Sequence, residues 1–329
     1  MSKTPKVLFE SHARVGGYGS AYQNFMLELL RGGVDLVDPN EDKSALADVH
    51  VYLGQPDRRW QNEWKRRGKA FGVFTMFETE LLPPTWAQDI NDICDFVIVP
   101  SRWCKEIFER NKVGKPVFVV PLGVNPSSFF YLERPERDTF TVIWQGFHEK
   151  DRKGFAILEK VFDELGLPNS LLIKKISPFS LFSPVQYDLR HKHWAICKNM
   201  TQAEMLMLLR QADLSVNPTS GEGFGLIPLE HMATGLPVIV SENSGCLDYR
   251  NPLYNIGIEC EEGLSWFGED FGKMMVPSPA ELKAKIQWTY DHKDETREMG
   301  RRASEWVRKE WTYEKATQKL LEVINGFVS

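Results

Sequence analysis

Short apolar runs alternate with amphipathic stretches along the chain, and turn-forming or capping residues separate them. This rhythm builds α/β folds with mainly parallel sheets. Runs at 6–9, 48–53, 70–74, 96–99 and 117–120 predict buried strands in the first part. Apolar periodicity predicts helices over 21–30 and 102–110, the second capped by Ser101. Gly16, Gly17 and Gly19 predict a loop ahead of the first of these helices.

The rhythm breaks near 126–137. The charged, Pro-containing stretch 131–138 reads as a linker. Beyond it the alternation restarts: strands over 140–144, 171–175, 214–216 and 237–240, helices over 155–165, 201–211 and 226–234. From 279 onward the chain reads as helical, with breaks expected at Gly300 and at Trp311-Thr312. The expected organisation is two similar α/β domains, 1–133 and 138–313, followed by a terminal helix over about 314–329.

The length of 329 residues agrees with two domains that each hold a core. Hydrophobic residues at 42% and charged residues at 26% are globular proportions, which excludes wholesale disorder. Forty basic and 45 acidic residues give a net charge of -5, which excludes a globally basic nucleic-acid coat. Five widely spaced cysteines without a CxxC pair point to reduced thiols. The first six residues lack a signal-peptide core, and no apolar run nears the roughly 18 residues of a membrane span. A cytoplasmic protein, at most peripheral at a membrane, is expected.

Several nucleotide motifs are missing. There is no GxxxxGK[ST], and Gly17-Tyr18-Gly19 lacks the third glycine of GxGxxG. No Asp-x-Asp occurs, so a metal held between two close aspartates is not expected, and no cofactor is implied. The most informative stretch is 217–240, which reads as strand, glycine-rich turn, helix and strand. Gly221, Gly223 and Gly225 permit a tight turn and close approach to a ligand. The helix beyond them presents free N–H groups and a positive dipole end, suited to phosphate. Glu222 falls at the carboxyl end of a strand, where open α/β sheets bind ligands. Glu230, on the helix, has two acceptor oxygens for a sugar diol.

The spacing of Glu222 and Glu230 around Gly223-Phe224-Gly225 resembles the E-x7-E pattern of glycosyltransferase family 4. Other segments match that family in order: 74–86 (FTMFETELLPPTW), 95–103 (DFVIVPSRW), 119–125 (VVPLGVN), 152–154 (RKG), 244–249 (SGCLDY) and 311–316 (WTYEKA). The resemblance spans nearly the whole chain. It implies the GT-B fold: two Rossmann-like domains facing across a cleft, acceptor on the first and nucleotide-sugar on the second, with the last helix crossing back. It further implies a retaining, metal-independent transfer.

By this resemblance Glu222 contacts the donor sugar and Glu230 the ribose. The backbone N–H groups of Phe224 and Gly225, beside Gly223, meet sugar or phosphate. Lys153 neutralises the departing diphosphate, Gly16 and Gly17 approach the phosphates, and Asn199 lies where the family contacts the base. Glu222 and Lys153 are the catalytic pair. One departure stands out: Phe147 occupies the place of a phosphate-binding arginine, with His148, Lys150 and Arg152 nearby as substitutes. Arg152 reads equally as a surface charge. A match to the family's N-terminal histidine is missing, and Glu78 occupies a plausible strand-end loop.

For the acceptor, Arg58 and Trp60 begin a basic, tryptophan-bearing stretch over 58–69. It reads as a solvated helix face, as a peripheral membrane surface, or as a nucleic-acid contact. The expected donor is a UDP- or GDP-sugar. The expected acceptor is a glycan, lipid-linked sugar or small metabolite. Alternatives are a hydroxymethylated DNA base, and a phosphorylase or non-catalytic nucleotide-sugar binder.

Overall fold

In a computed structural model, residues 5–13, 16–38, 46–56, 67–147, 152–178, 186–190, 192–265 and 268–328 are described, with 186–190 and 269 as backbone only. The chain forms two compact units: 1–123 with 270–272 and 313–329, and 124–269 with 273–312.

The first unit contains β1 (Lys6–Glu10), α1 (Gly16–Arg31), β2 (Asp35–Leu36), β3 (Ala47–Leu53), β4 (Gly68–Phe74), α2 (Trp86–Ile93), β5 (Phe96–Val99), α3 (Arg102–Arg110) and β6 (Val117–Val119). Its six strands form a parallel sheet in the order β2-β1-β3-β4-β5-β6. The near-continuous apolar strands are buried on both faces, as parallel sheets require. Trp86, Ile90, Ile107 and Phe108 of α2 and α3 join Phe71, Val73, Val97 and Val99 in one core. Burying each large side chain contributes roughly 2–3 kcal/mol. Ser101 caps α3 by accepting the Cys104 N–H at 3.1 Å.

The second unit contains β7 (Phe140–Gly146), α4 (Phe155–Leu165), β8 (Ser170–Ile176), β9 (Gln186–Arg190), β10 (His193–Cys197), α5 (Gln202–Arg210), β11 (Leu214–Asn217), α6 (Leu226–Ala233), β12 (Val238–Ser241), β13 (Ile256–Ile258), β14 (Cys260–Leu264), β15 (Lys273–Pro277), α7 (Pro279–Asp291) and α8 (Lys293–Glu310). Seven strands run in the order β13-β12-β11-β7-β8-β10-β9, all parallel except β9, which is antiparallel to β10. β14 and β15 form a separate hairpin. The chain then returns to the first unit as α9 (Tyr313–Asn325), which packs on α1, with Tyr313 and Phe25 rings 5.2 Å apart. Just past α9, Phe327 stacks on Phe96 at 4.2 Å.

Three sequence expectations change. The glycines at 16–19 belong to the first turn of α1 rather than a loop. The Tyr18 hydroxyl holds that turn, donating to the Met76 carbonyl at 3.3 Å and accepting the Met76 N–H at 3.1 Å. Gly300 does not break the tail, because it lies inside α8. A Cβ there would sit 2.3 Å from the Gly235 carbonyl oxygen, so glycine is what lets α8 approach the end of α6. The breaks are at His292, between α7 and α8, and at Trp311-Thr312, as expected, between α8 and α9.

The stretch read as a linker is packed into the second unit, and the first unit ends earlier, at Gly123. The Leu132 N–H donates to the Thr234 carbonyl at 3.0 Å. The Arg134 guanidinium donates to the carbonyls of Leu132, Leu209, Ala212 and Thr234 and to the Thr234 hydroxyl, at 2.9 to 3.4 Å. It thereby satisfies carbonyl groups at the ends of α5 and α6 that would otherwise lack partners. Arg134→Met should therefore cost about 2–3 kcal/mol in urea unfolding, where an exposed arginine costs almost nothing.

Candidate active site

β7 and β11 are paired, and the segments that follow them, 152–154 and 218–225, are bound together. The Ser220 N–H donates to the Arg152 carbonyl at 2.8 Å. The Thr219 hydroxyl lies 3.2 Å from that carbonyl and 3.0 Å from the carbonyl of Gly221. Gly154 caps α4 at φ 68°, and a Cβ there would lie 1.9 Å from the Pro218 carbonyl oxygen. Only glycine fits both the left-handed turn and the contact.

This junction brings Arg152, Lys153 and Glu222 into one cluster. Lys153 Nζ donates to Glu222 Oε1. Arg152 Nη1 donates to the Gly221 carbonyl at 2.7 Å and lies 3.7 Å from Glu222 Oε2. The three side chains are only 7%, 15% and 14% exposed, so water screens their interaction weakly. Burial alone would raise the Glu222 carboxyl. Lys153 first, then Arg152 and hydrogen bonds from Lys153 and Thr219, overcome it and hold the group below the usual carboxylate range. Glu222 is thus an anion at neutral pH, facing two cations. Arg152 is correspondingly a buried residue and not a surface charge.

A second layer fixes the backbone of Glu222. Its N–H donates to Ser244 Oγ at 2.9 Å, and its carbonyl accepts the Gly245 N–H at 2.9 Å. The Ser244 hydroxyl donates to Asn243 Oδ1 at 2.8 Å, and Asn243 Nδ2 donates to the carbonyls of Thr219 and Met275, both at 2.9 Å. Asn243 escaped the sequence reading; its signal was its place just before the motif at 244–249. Phe224 is buried among Tyr249 and Trp311, with ring centroids 5.8 and 5.9 Å away. The Tyr249 hydroxyl donates to the Gly225 carbonyl at 2.9 Å.

Gly225 starts α6 at φ 86°, and no side chain caps the helix. The first N–H groups of such a helix lack intrahelical acceptors, and the dipole favours an anion. Glu230 lies on α6, where burial pushes its carboxyl up to about 8. Beside it, His231 Nδ1 lies 2.7 Å from Ser215 Oγ, and its Nε2 lies 3.0 Å from Gln145 Oε1. An amide oxygen at Nε2 requires the N–H there, so the Ser215 hydroxyl donates to Nδ1. The Ser215 oxygen accepts in turn from Asn217 Nδ2 at 2.9 Å. Burial, helped by Arg134, pulls His231 down to about 3, so the ring is neutral.

Asn199 is exposed, in the turn between β10 and α5 at the carboxyl edge of the same sheet. Gly223 is buried in the Glu222 loop. In the first unit, Gly16 and Gly17 open α1, and Glu78 lies in the segment after β4. That segment is tied to α1 through Tyr18. Arg58, Trp60, His148 and Lys150 lie outside the described residues. A cavity of about 840 Å³ elsewhere in the second unit is lined by charges of both signs, including Glu136, Arg137, Asp291 and Lys293. It contains none of the expected site residues and lies where the chain enters β7, away from the carboxyl edge. Among the described residues no helix is long and apolar enough to cross a membrane.

The Glu230 shift has a definite consequence. The folded carboxyl holds its proton up to about 8, whereas the unfolded one releases it near 4.5. Stability from this group is therefore full below about 4.5 and declines as pH rises through 8. Glu230→Gln removes that decline. In thermal unfolding, the gain of the variant over the parent should be larger at pH 8.5 than at pH 4.5; an equal difference at both would contradict the shift.

Comparison with known proteins bears on the family and the fold. Residues 199–320, which hold the Glu222 loop, α6 and the 244–249 turn, match the family described as Family 4 Glycosyltransferase in conflict systems. Over 265 residues the chain is 25% identical to ORF313 of Acidianus filamentous virus 1, provisionally named a glycosyltransferase. That match covers 78% of this chain and 72% of the viral protein. Among solved structures, sucrose-phosphate synthase from Thermosynechococcus elongatus superposes with a TM-score of 0.73 at 15% identity, covering 98% of this chain and 99% of that one. HepE from Anabaena, in complex with UDP and glucose, superposes with a TM-score of 0.70 at 11% identity, covering 98% and 100%. The chain is a GT-B-fold relative of the glycosyltransferases.

Proposed function

We propose that this protein transfers a sugar, with retention of configuration, from a UDP- or GDP-sugar to an acceptor hydroxyl. The observation that carries the reading is the buried Arg152–Lys153–Glu222 cluster at the foot of an uncapped helix. Its two cations exceed its one anion, which suits a diphosphate. The complex of the similar fold in HepE with UDP and glucose supports the donor class.

In this reading the phosphates lie against Lys153 and the N-terminus of α6, with Arg152 holding Glu222 in place. The acceptor oxygen forms its bond to the anomeric carbon on the face from which the phosphate oxygen leaves. The departing phosphate takes the acceptor proton. Lys153 stabilises the charge that develops, so the reaction needs no metal. Glu222 positions the sugar hydroxyls and steadies positive charge on the ring, rather than forming a covalent link. Glu230, protonated at neutral pH, offers the ribose diol both a donor and an acceptor. A glycan, lipid-linked sugar or small metabolite is the acceptor. A hydroxymethylated DNA base is the second reading, favoured by the match to a family of conflict systems and by the viral relative.

Thermal-shift screening with UDP-, GDP- and ADP-sugars should give stabilisation by a UDP- or GDP-sugar, and mass spectrometry on glycans and on hydroxymethylated DNA should then show the added hexose. Stabilisation by none of these donors would overturn the reading. Glu222→Ala should abolish transfer. Lys153→Ala should weaken donor binding by about tenfold or more in calorimetry, because it removes a charge-assisted contact.

A further inference from the structure

The second unit buries a cation that the phosphate cluster does not use. Lys175, in β8, is 1% exposed. Its Nζ donates to the Ile176 carbonyl at 3.0 Å and to Ser177 Oγ at 3.1 Å. Among the described residues no carboxylate pairs with it. Desolvation pulls its pKa down to about 8. A buried ammonium whose hydrogen bonds, among the described residues, go to two neutral oxygens is costly, and it keeps one N–H beyond those two bonds.

Gln145 of β7 is the register partner of Lys175, so both side chains stand on the same face of the sheet, one strand apart. His231 Nε2–H occupies the Gln145 amide oxygen. That bond turns the Gln145 NH₂ group away from the histidine as a donor. Lys175 Nζ and the Gln145 amide nitrogen thus form a pair of donors near the carboxyl ends of β7 and β8. The strand order places β8 two spacings, roughly 9–10 Å, from β11, whose following loop carries Glu222. The 152–154 segment leans from β7 toward β11, on the side away from β8. With the sugar at Glu222 and the diphosphate over β7 and α6, the nucleoside reaches β8.

We infer that Lys175 and Gln145 read the nucleobase of the donor, selecting a base whose edge presents carbonyl oxygens, uracil or guanine, against adenine, which presents an amine. This rests on the donor-binding reading above. Phosphate is the poorer occupant, because the cluster around Lys153 already supplies positive charge on the other side of β7.

Calorimetry on the full chain with UDP, GDP, ADP and inorganic pyrophosphate tests it. The parent should bind UDP or GDP at least about tenfold more tightly than ADP. Lys175→Met and, separately, Gln145→Leu should erase most of that preference while leaving pyrophosphate affinity unchanged. Lys175→Met should melt no lower than the parent, because it removes a buried charge, so a loss of binding cannot be ascribed to misfolding. Unchanged nucleotide preference in both variants would overturn the inference. So would an equal loss of pyrophosphate binding, which would make Lys175 a phosphate ligand. A parent that binds nucleotides without preference overturns this inference alone. A parent that binds none of the four overturns the donor reading itself, and this inference with it.

Discussion

Three charges withdrawn from water at one loop junction set the terms for the rest of the second unit. Arg152, Lys153 and Glu222 compensate one another only if the segments after β7 and β11 lie in contact. That contact requires a residue without a Cβ at 154 and a left-handed backbone at Ser244. It also requires Asn243 to bridge the loop to the β14–β15 hairpin. Removing one partner from such a cluster strands the others in a poor solvent, which is why the packing around it is so closely specified.

The same strand-loop-helix unit keeps two acids in opposite states. Glu222 stays ionised because cations face it, and Glu230 is driven toward the neutral form because burial acts on it unopposed. The two are eight positions apart, and their protonation differs through surroundings rather than residue type. Beneath them runs a polar layer in which Asn217, Ser215, His231 and Gln145 pass hydrogen bonds in a single direction. This layer ties α6 to β7 and β11 independently of the apolar core.

Much of the fold was legible because parallel strands buried on both faces announce themselves as apolar runs. Helices 102–110 and 155–165 coincide with α3 and α4 to the residue. The strands of the β9–β10 and β14–β15 hairpins were not legible. β9 is an edge strand, β10 lies beside it with a mixed burial pattern, and alternation in Cys260–Leu264 is diluted by acids and a glycine. The glycine-rich start of α1 and Gly300 in α8 were misread because propensity is local, whereas Tyr18 and the approach of α8 to Gly235 are tertiary. At the site, the glutamates were visible from their spacing. The burial of Arg152 and the hydrogen bonds of His231 depend on Gly221, Glu222, Ser215 and Gln145, which lie at a distance in sequence that no spacing displays.

The aromatic cluster behind Phe224 has a consequence for how this molecule can be watched. Trp311 lies 5.9 Å from Phe224 and 5.9 Å from Trp306, which in turn stacks on Tyr254. Phe224 is the residue whose neighbours, Gly223 and Gly225, shape the loop that carries Glu222. Any shift of that loop displaces the ring against which Trp311 is packed. The chain therefore carries an intrinsic fluorophore packed against the Glu222 loop, and a displacement of that loop is readable as a change in tryptophan emission without a label.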